Sequence, residues 1–95
     1  MQRIYDNFAK QAFMNTLGAE IIRIEKGKVV IACSKNEGLT QQHGFFHAGV
    51  LTSICDSACG YAALSVMPED ADVLSVEFKI NLLRPATADK ILAIG

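Results

Sequence analysis

Asp56 carries the only formal charge between Glu37 and Glu69. The stretch between those two acids, GLTQQHGFFHAGVLTSICDSACGYAALSVMP, is otherwise apolar, small or neutral polar, while the rest of the chain is ordinarily charged. A carboxylate in such surroundings is expected to be lifted out of bulk water. That is costly unless partners compensate or the group serves a purpose. Upstream, His47-Ala48-Gly49 stands where a long helix should open. Free backbone N–H groups and the helix dipole favour negative charge there, and small residues let a ligand approach the backbone. A carboxylate base and a helix start that can hold an oxyanion are the parts of acyl-transfer chemistry.

Their spacing carries a second message. Asp56 lies about 12 Å along the helix axis from Ala48. One helix therefore cannot bring both its own start and its own Asp56 to a single carbonyl. Two antiparallel copies related by a two-fold axis can, and they form two equivalent sites. Gln41, Gln42, His43 and His47 crowd the loop before the helix. A neutral amide among them can orient a water or hold a carbonyl. His43, His47, Cys55 and Cys59 are potential metal ligands, but their spacing matches no zinc pattern. There is no Gly-x-Ser-x-Gly elbow, and no cysteine has an evident electropositive setting.

The elements that must position these residues follow from periodicity. Ile4, Phe8, Ala12 and Phe13 fall near one helical stripe, predicting a short amphipathic helix over residues 3–14, with Gly18 as its stop. Residues 20–26 and 28–34, rich in Ile and Val around Gly27, predict a β-hairpin. Residues 35–47 read as a loop. Residues 48–66 form one segment of about five helical turns, almost without charge and so expected to be central and buried on every face. Pro68 stops it. From 73 to 83, Leu74, Val76, Phe78, Ile80 and Leu82 alternate with Ser75, Glu77, Lys79 and Asn81, predicting a strand with its apolar face on the helix. Residues 90–95 look like the start of a further buried strand whose edge needs pairing, from a neighbouring chain or from a longer version of the domain.

Bulk properties set outer limits. The 95 residues predict one domain of α+β class, with an antiparallel sheet packed on one long helix. A formal net charge of −1 without a basic cluster gives no electrostatic basis for nucleic-acid or anionic-membrane binding. No apolar run suits a membrane span, and the N-terminus lacks the apolar core of a signal peptide. Three cysteines and no leader point to a reducing cytoplasm.

The segment LTQQHGFFHAGVLTSICDSACGYAALS, followed by VLSVEFKINLLRPA, resembles the PaaI-like acyl-CoA thioesterases of the hotdog-fold superfamily, from about Leu17-Gly18 to Gly95. The resemblance implies an antiparallel sheet wrapped around one long central helix, with the last strands missing or supplied by a partner. It implies a thioester hydrolase, a homodimer or homotetramer with its active site shared between subunits, and no cofactor beyond the coenzyme A of the acyl-CoA substrate. Asp56 falls on the catalytic carboxylate, acting as general base or as nucleophile through a mixed anhydride. Ala48 falls where a backbone N–H polarises the thioester carbonyl, with Gly49 beside it and His47 shaping the loop or touching the thioester. Gln41 falls where an amide holds the water or the thioester, and Ser75 where a hydroxyl supports the nucleophilic water. Arg84 and Lys79 are candidates for the phosphates of coenzyme A on charge alone. Two other readings stand beside this one. One is another hotdog chemistry such as acyl-CoA hydration, which the distance of the acid from His47 fits less well. The other is a non-catalytic hotdog domain that binds acyl-CoA or only oligomerises.

Overall fold

A computed structural model describes all 95 residues. Two short helices, α1 (Gln2–Ala9) and α2 (Ala12–Leu17), lead into a hairpin of β1 (Glu20–Glu25) and β2 (Lys28–Ser34). A single 3-10 turn at Glu37–Leu39 interrupts the loop before the long helix α3 (Ala48–Leu64), and β3 (Lys90–Ile94) closes the chain. The sheet is antiparallel, in the order β1-β2-β3. α3 lies on it, and the α+β expectation holds.

The N-terminal stripe forms two helices where one was predicted. Gln11 leaves the helical conformation, with φ −84° and ψ 90°. Its side chain instead reaches Tyr61 and Ser57 on α3. Gly18 ends α2 in the left-handed region at φ 69°, as a helix-terminal glycine does. Gly27, at φ 80°, supplies the same conformation to the hairpin turn.

β2 is the central strand and is buried from Val29 to Cys33. Ile31 and Val29 are fully buried with Ile4, Met14, Ile54 and Ala58, so the core is the space between β2, α3 and the N-terminal helices. The ladder runs one residue past β3, where Gly95 and Val29 exchange backbone hydrogen bonds of 2.8 and 3.1 Å. A Cβ on Gly95 would stand 2.2 Å from the Ala58 carbonyl oxygen, so the strand end meets the helix backbone directly.

α1 is held down by its arginine. Arg3 donates to the Leu64, Met67 and Pro68 carbonyls at 2.5, 2.7 and 2.8 Å, capping the end of α3 where the last carbonyls and the negative dipole end collect. Arg3→Ala is expected to destabilise the chain by about 1–3 kcal/mol. Arg3→Lys should recover only part of this, since an ammonium lacks the fork that spans three acceptors. Urea unfolding of the two variants measures both effects.

Two expectations fail here. Residues 73–83 form no strand, and nothing in the chain pairs with them. Their apolar side chains do not rest together on α3: Leu74 is 88% exposed and Val76 94% exposed. A strand needs a ladder neighbour as well as an alternating pattern, and the three strands present lie elsewhere. α3 is likewise not buried all round. Val50, Ile54, Ser57, Ala58, Tyr61, Ala62 and Leu64 face the core, while Ala48, Gly49, Cys55, Cys59 and Ala63 face outward. Missing charge along a helix marks a face free of ion pairs; it does not say that this chain alone covers that face.

Candidate active site

The loop before α3 is built to present the helix start. Gln41 and Phe45 close a tight turn, with the Gln41 N–H donating to the Phe45 carbonyl at 2.9 Å and Gly44 at φ 83°. The Gln41 side chain holds the turn from inside, its Oε1 accepting from the His43 and Phe45 N–H groups at 2.6 and 3.2 Å. Its Nε2 makes no hydrogen bond within the chain and remains a donor. His47 caps α3: its Nδ1 accepts from the Gly49 N–H at 2.8 Å, and its carbonyl accepts from Val50 at 2.9 Å. A neutral imidazole accepting at Nδ1 carries its proton on Nε2. Of the two N–H groups singled out at the helix start, that of Gly49 is thus occupied. That of Ala48 has no partner within the chain, and its residue is exposed.

Asp56 stands on the next two turns. It is half-buried, not withdrawn from water as its neighbours in sequence suggested, because the charge-free face of α3 is open at that point. Ser75 Oγ donates to Asp56 Oδ1 at 2.5 Å, which orients the carboxylate and leaves Oδ2 unbonded within the chain. Around Ser75 the expected sides are reversed. Ser75 turns toward α3, while Leu74 and Val76 turn out.

Two cavities divide these groups. One of about 550 Å³ is lined by Gln41, Phe45, His47, Ala48 and Arg84. The other, of about 300 Å³, holds Asp56 and Ser75 together with Asn7, Gln11 and Tyr61. Arg84 therefore stands with the helix start, whereas Lys79 lines neither. No three His, Cys, Asp or Glu side chains gather where they could hold a metal ion.

The second cavity has a polar floor that sequence reasoning missed. Gln11 Nε2 donates to Tyr61 Oη at 2.9 Å, Tyr61 Oη donates to Asn7 Oδ1 at 2.9 Å, and Ser57 Oγ donates to Gln11 Oε1 at 3.1 Å. Gln11 and Tyr61 are 50 residues apart, and no local pattern joins them. Burial pushes the Tyr61 phenol above its usual value; the Gln11 hydrogen bond opposes this and the Asp72 charge adds to it. Burial also raises the Cys33 thiol. Both shifts favour the protonated folded form. The stability they bring is complete below the unfolded values of 9.0 and 10.0 and is lost as pH rises through the higher folded ones. Unfolding midpoints should stay flat on this account up to about pH 9 and fall above it. Tyr61→Phe should remove the upper part of the fall, as a pH series of urea titrations would show.

The sequence model described as the thioesterase superfamily matches residues 43–95, from the loop through the site to the end of the chain. The chain belongs to that superfamily, and its fold is that of the PaaI-like hotdog proteins. It is 49% identical to a thioesterase family protein from Silicibacter pomeroyi, with a TM-score of 0.93 over 96% of this chain and 67% of that one. It is 26% identical to the E. coli PaaI protein from the phenylacetic acid degradation operon, with a TM-score of 0.85 over 98% and 66% of the two chains. Against the 1,4-dihydroxy-2-naphthoyl-CoA hydrolase of Listeria monocytogenes it is 31% identical over 82% of this chain and 63% of the relative. The chain spans 49% to 63% of the length of the curated relatives it matches. No helix is long and apolar enough to cross a membrane.

Proposed function

We propose that this chain is the site-bearing part of an acyl-CoA thioesterase that works as a cytoplasmic homodimer or homotetramer. One observation carries the reading. Asp56 is held by Ser75 at the edge of one cavity, while the uncommitted Ala48 N–H opens into another, two helical turns away. Each half suits thioester hydrolysis, and neither half suffices alone.

The thioester carbonyl lies against Ala48 of one protomer, with its oxygen on the free N–H and within reach of Gln41 Nε2. The partner subunit's Asp56 takes a proton from water through Oδ2, and the water oxygen bonds to the carbonyl carbon. The tetrahedral oxyanion is held by the helix start. It collapses with cleavage of the C–S bond, and the departing thiolate recovers the proton from Asp56. In the variant of this route through a mixed anhydride, the same carboxylate attacks the carbonyl carbon and the C–S bond breaks to release the thiolate; water then cleaves the acyl-Asp56 bond, giving the free acid and the carboxylate, and the proton released goes to the thiolate. The chemistry needs a carboxylate, water and an N–H donor, and no metal or redox cofactor takes part. Coenzyme A enters as part of the substrate, with Arg84 beside the helix start as a partner for its phosphates.

The test is hydrolysis of a panel of acyl- and aryl-CoA thioesters with the released thiol followed spectroscopically. Saturable turnover supports the enzyme. Binding of acyl-CoA without turnover by a folded oligomer supports the non-catalytic reading instead.

A further inference from the structure

We propose that His47 ties the helix start to pH: its neutral imidazole holds the Ala48 N–H in position, and its protonation releases it. The inference concerns regulation of the site and rests on the reading of that N–H as the oxyanion donor. The Ala48 N–H belongs to the peptide unit whose carbonyl is that of His47. The unit is planar, so whatever fixes one end aims the other. Two hydrogen bonds fix it. The His47 carbonyl accepts from the Val50 N–H at 2.9 Å, and Nδ1 of the same residue accepts from the Gly49 N–H at 2.8 Å. The ring lies close against Gly49: a Cβ there would stand 3.0 Å from Nδ1 and 3.4 Å from Cε1. A side chain at position 49 would therefore crowd the ring off its bond.

The second bond exists in one protonation state only. Neutral imidazole offers Nδ1 as an acceptor, whereas imidazolium carries a proton on both nitrogens and accepts at neither. On protonation, two N–H donors would face each other across the 2.8 Å of the cap. Nothing around the ring compensates the new charge. The His47 side chain lines two cavities. α2 contributes Phe13 and Leu17 to them, and the preceding loop and α3 contribute only neutral residues. Residues 82–86 contribute Arg84, the one charged or titratable group there besides His47. A cation at His47 thus meets Arg84 and the positive end of the α3 dipole, with no carboxylate to pair with. The imidazolium turns away, Gly49 loses its acceptor, and the His47–Ala48 peptide is free to rotate. Imidazole ordinarily changes charge between about pH 5 and 8, which sets the range to probe.

Acid also titrates Asp56, so the experiment must separate the two groups. His47→Asn does so, because an asparagine caps a helix without titrating and leaves Asp56 in place. Between about pH 7.5 and 5.5, kcat/KM of the unaltered chain should fall about tenfold further than that of His47→Asn. Gly49→Ala, which displaces the ring without any charge, should lower kcat/KM by a similar factor at the upper end of that range. An equal fall in the unaltered chain and in His47→Asn, or a rise in the unaltered chain, overturns the proposal. If no thioester is turned over, the catalytic reading fails separately, and NMR decides the latch. The Gly49 amide should then shift in step with the His47 ring protons and lose protection against hydrogen exchange as they titrate, and it should stay fixed in His47→Asn. A Gly49 amide that remains fixed and protected in the unaltered chain while the ring titrates overturns the proposal.

Discussion

Asp56→Asn is expected to lower thioester turnover by about 10²- to 10⁴-fold, the contribution of a positioned general base. The change keeps size and shape. An asparagine carbonyl still accepts the Ser75 hydroxyl, so the side chain stays where Asp56 Oδ1 sits. Asp56 is half-buried, not sealed in the core, so exchanging charge for a neutral amide leaves no orphaned partner charge. What disappears is the basic oxygen. Substrate binding should survive, and the loss should appear in kcat. Ser75→Ala should cost less, about 3- to 30-fold, because Ser75 acts through the carboxylate and water can replace its donated hydrogen bond. Near-normal turnover by Asp56→Asn, with an unaltered circular dichroism spectrum, would remove Asp56 from the mechanism.

Local physics was readable in the sequence; its dependence on distant chain was not. The hairpin was legible because Gly27 sits between two β-branched runs, and the strands and turn appear where periodicity placed them. α3 was legible from its uninterrupted small and apolar residues, ending within two residues of the expected stop. The break at Gln11 was not, because its cause is a pair of hydrogen bonds to residues on α3 that fall far along the chain. Residues 73–83 show the same limit from the other side. Alternation says that two faces differ in polarity, but not which of them meets α3, nor that a paired neighbour exists. Ser75 reaches Asp56 because the polar face is turned inward at that point, with Val73 and Leu74 lining the same cavity beside it. Asp56 was singled out by the absence of charge around it. The open face of α3 then showed that such an absence need not mean burial.

The division of the site between two cavities makes the assembly itself testable. Ala48→Pro and Asp56→Asn should each be nearly inactive, yet a mixture of the two should recover about one quarter of the normal activity. Proline at Ala48 deletes the one uncommitted N–H at the helix start. It should do little else, because Ala48 is the first helical residue, where proline is favoured. His47 already has φ −64° and ψ 137°, the extended conformation that a residue before proline adopts. The His47 cap on the Gly49 N–H is left in place. In a mixed dimer, the Asp56→Asn protomer contributes an intact helix start and the Ala48→Pro protomer an intact carboxylate. One of the two sites is then whole. Random re-association makes half the dimers mixed, and half the sites in those dimers work. Mixing after unfolding and refolding together, followed by the thiol-release assay, measures the recovery. If both groups served a carbonyl within one chain, every site in the mixture would lack one of them and no activity would return, whatever the oligomeric state. The about 12 Å of helix between Ala48 and Asp56 argues for the shared site, because no side chain at position 56 reaches back that far to a carbonyl seated on its own helix start.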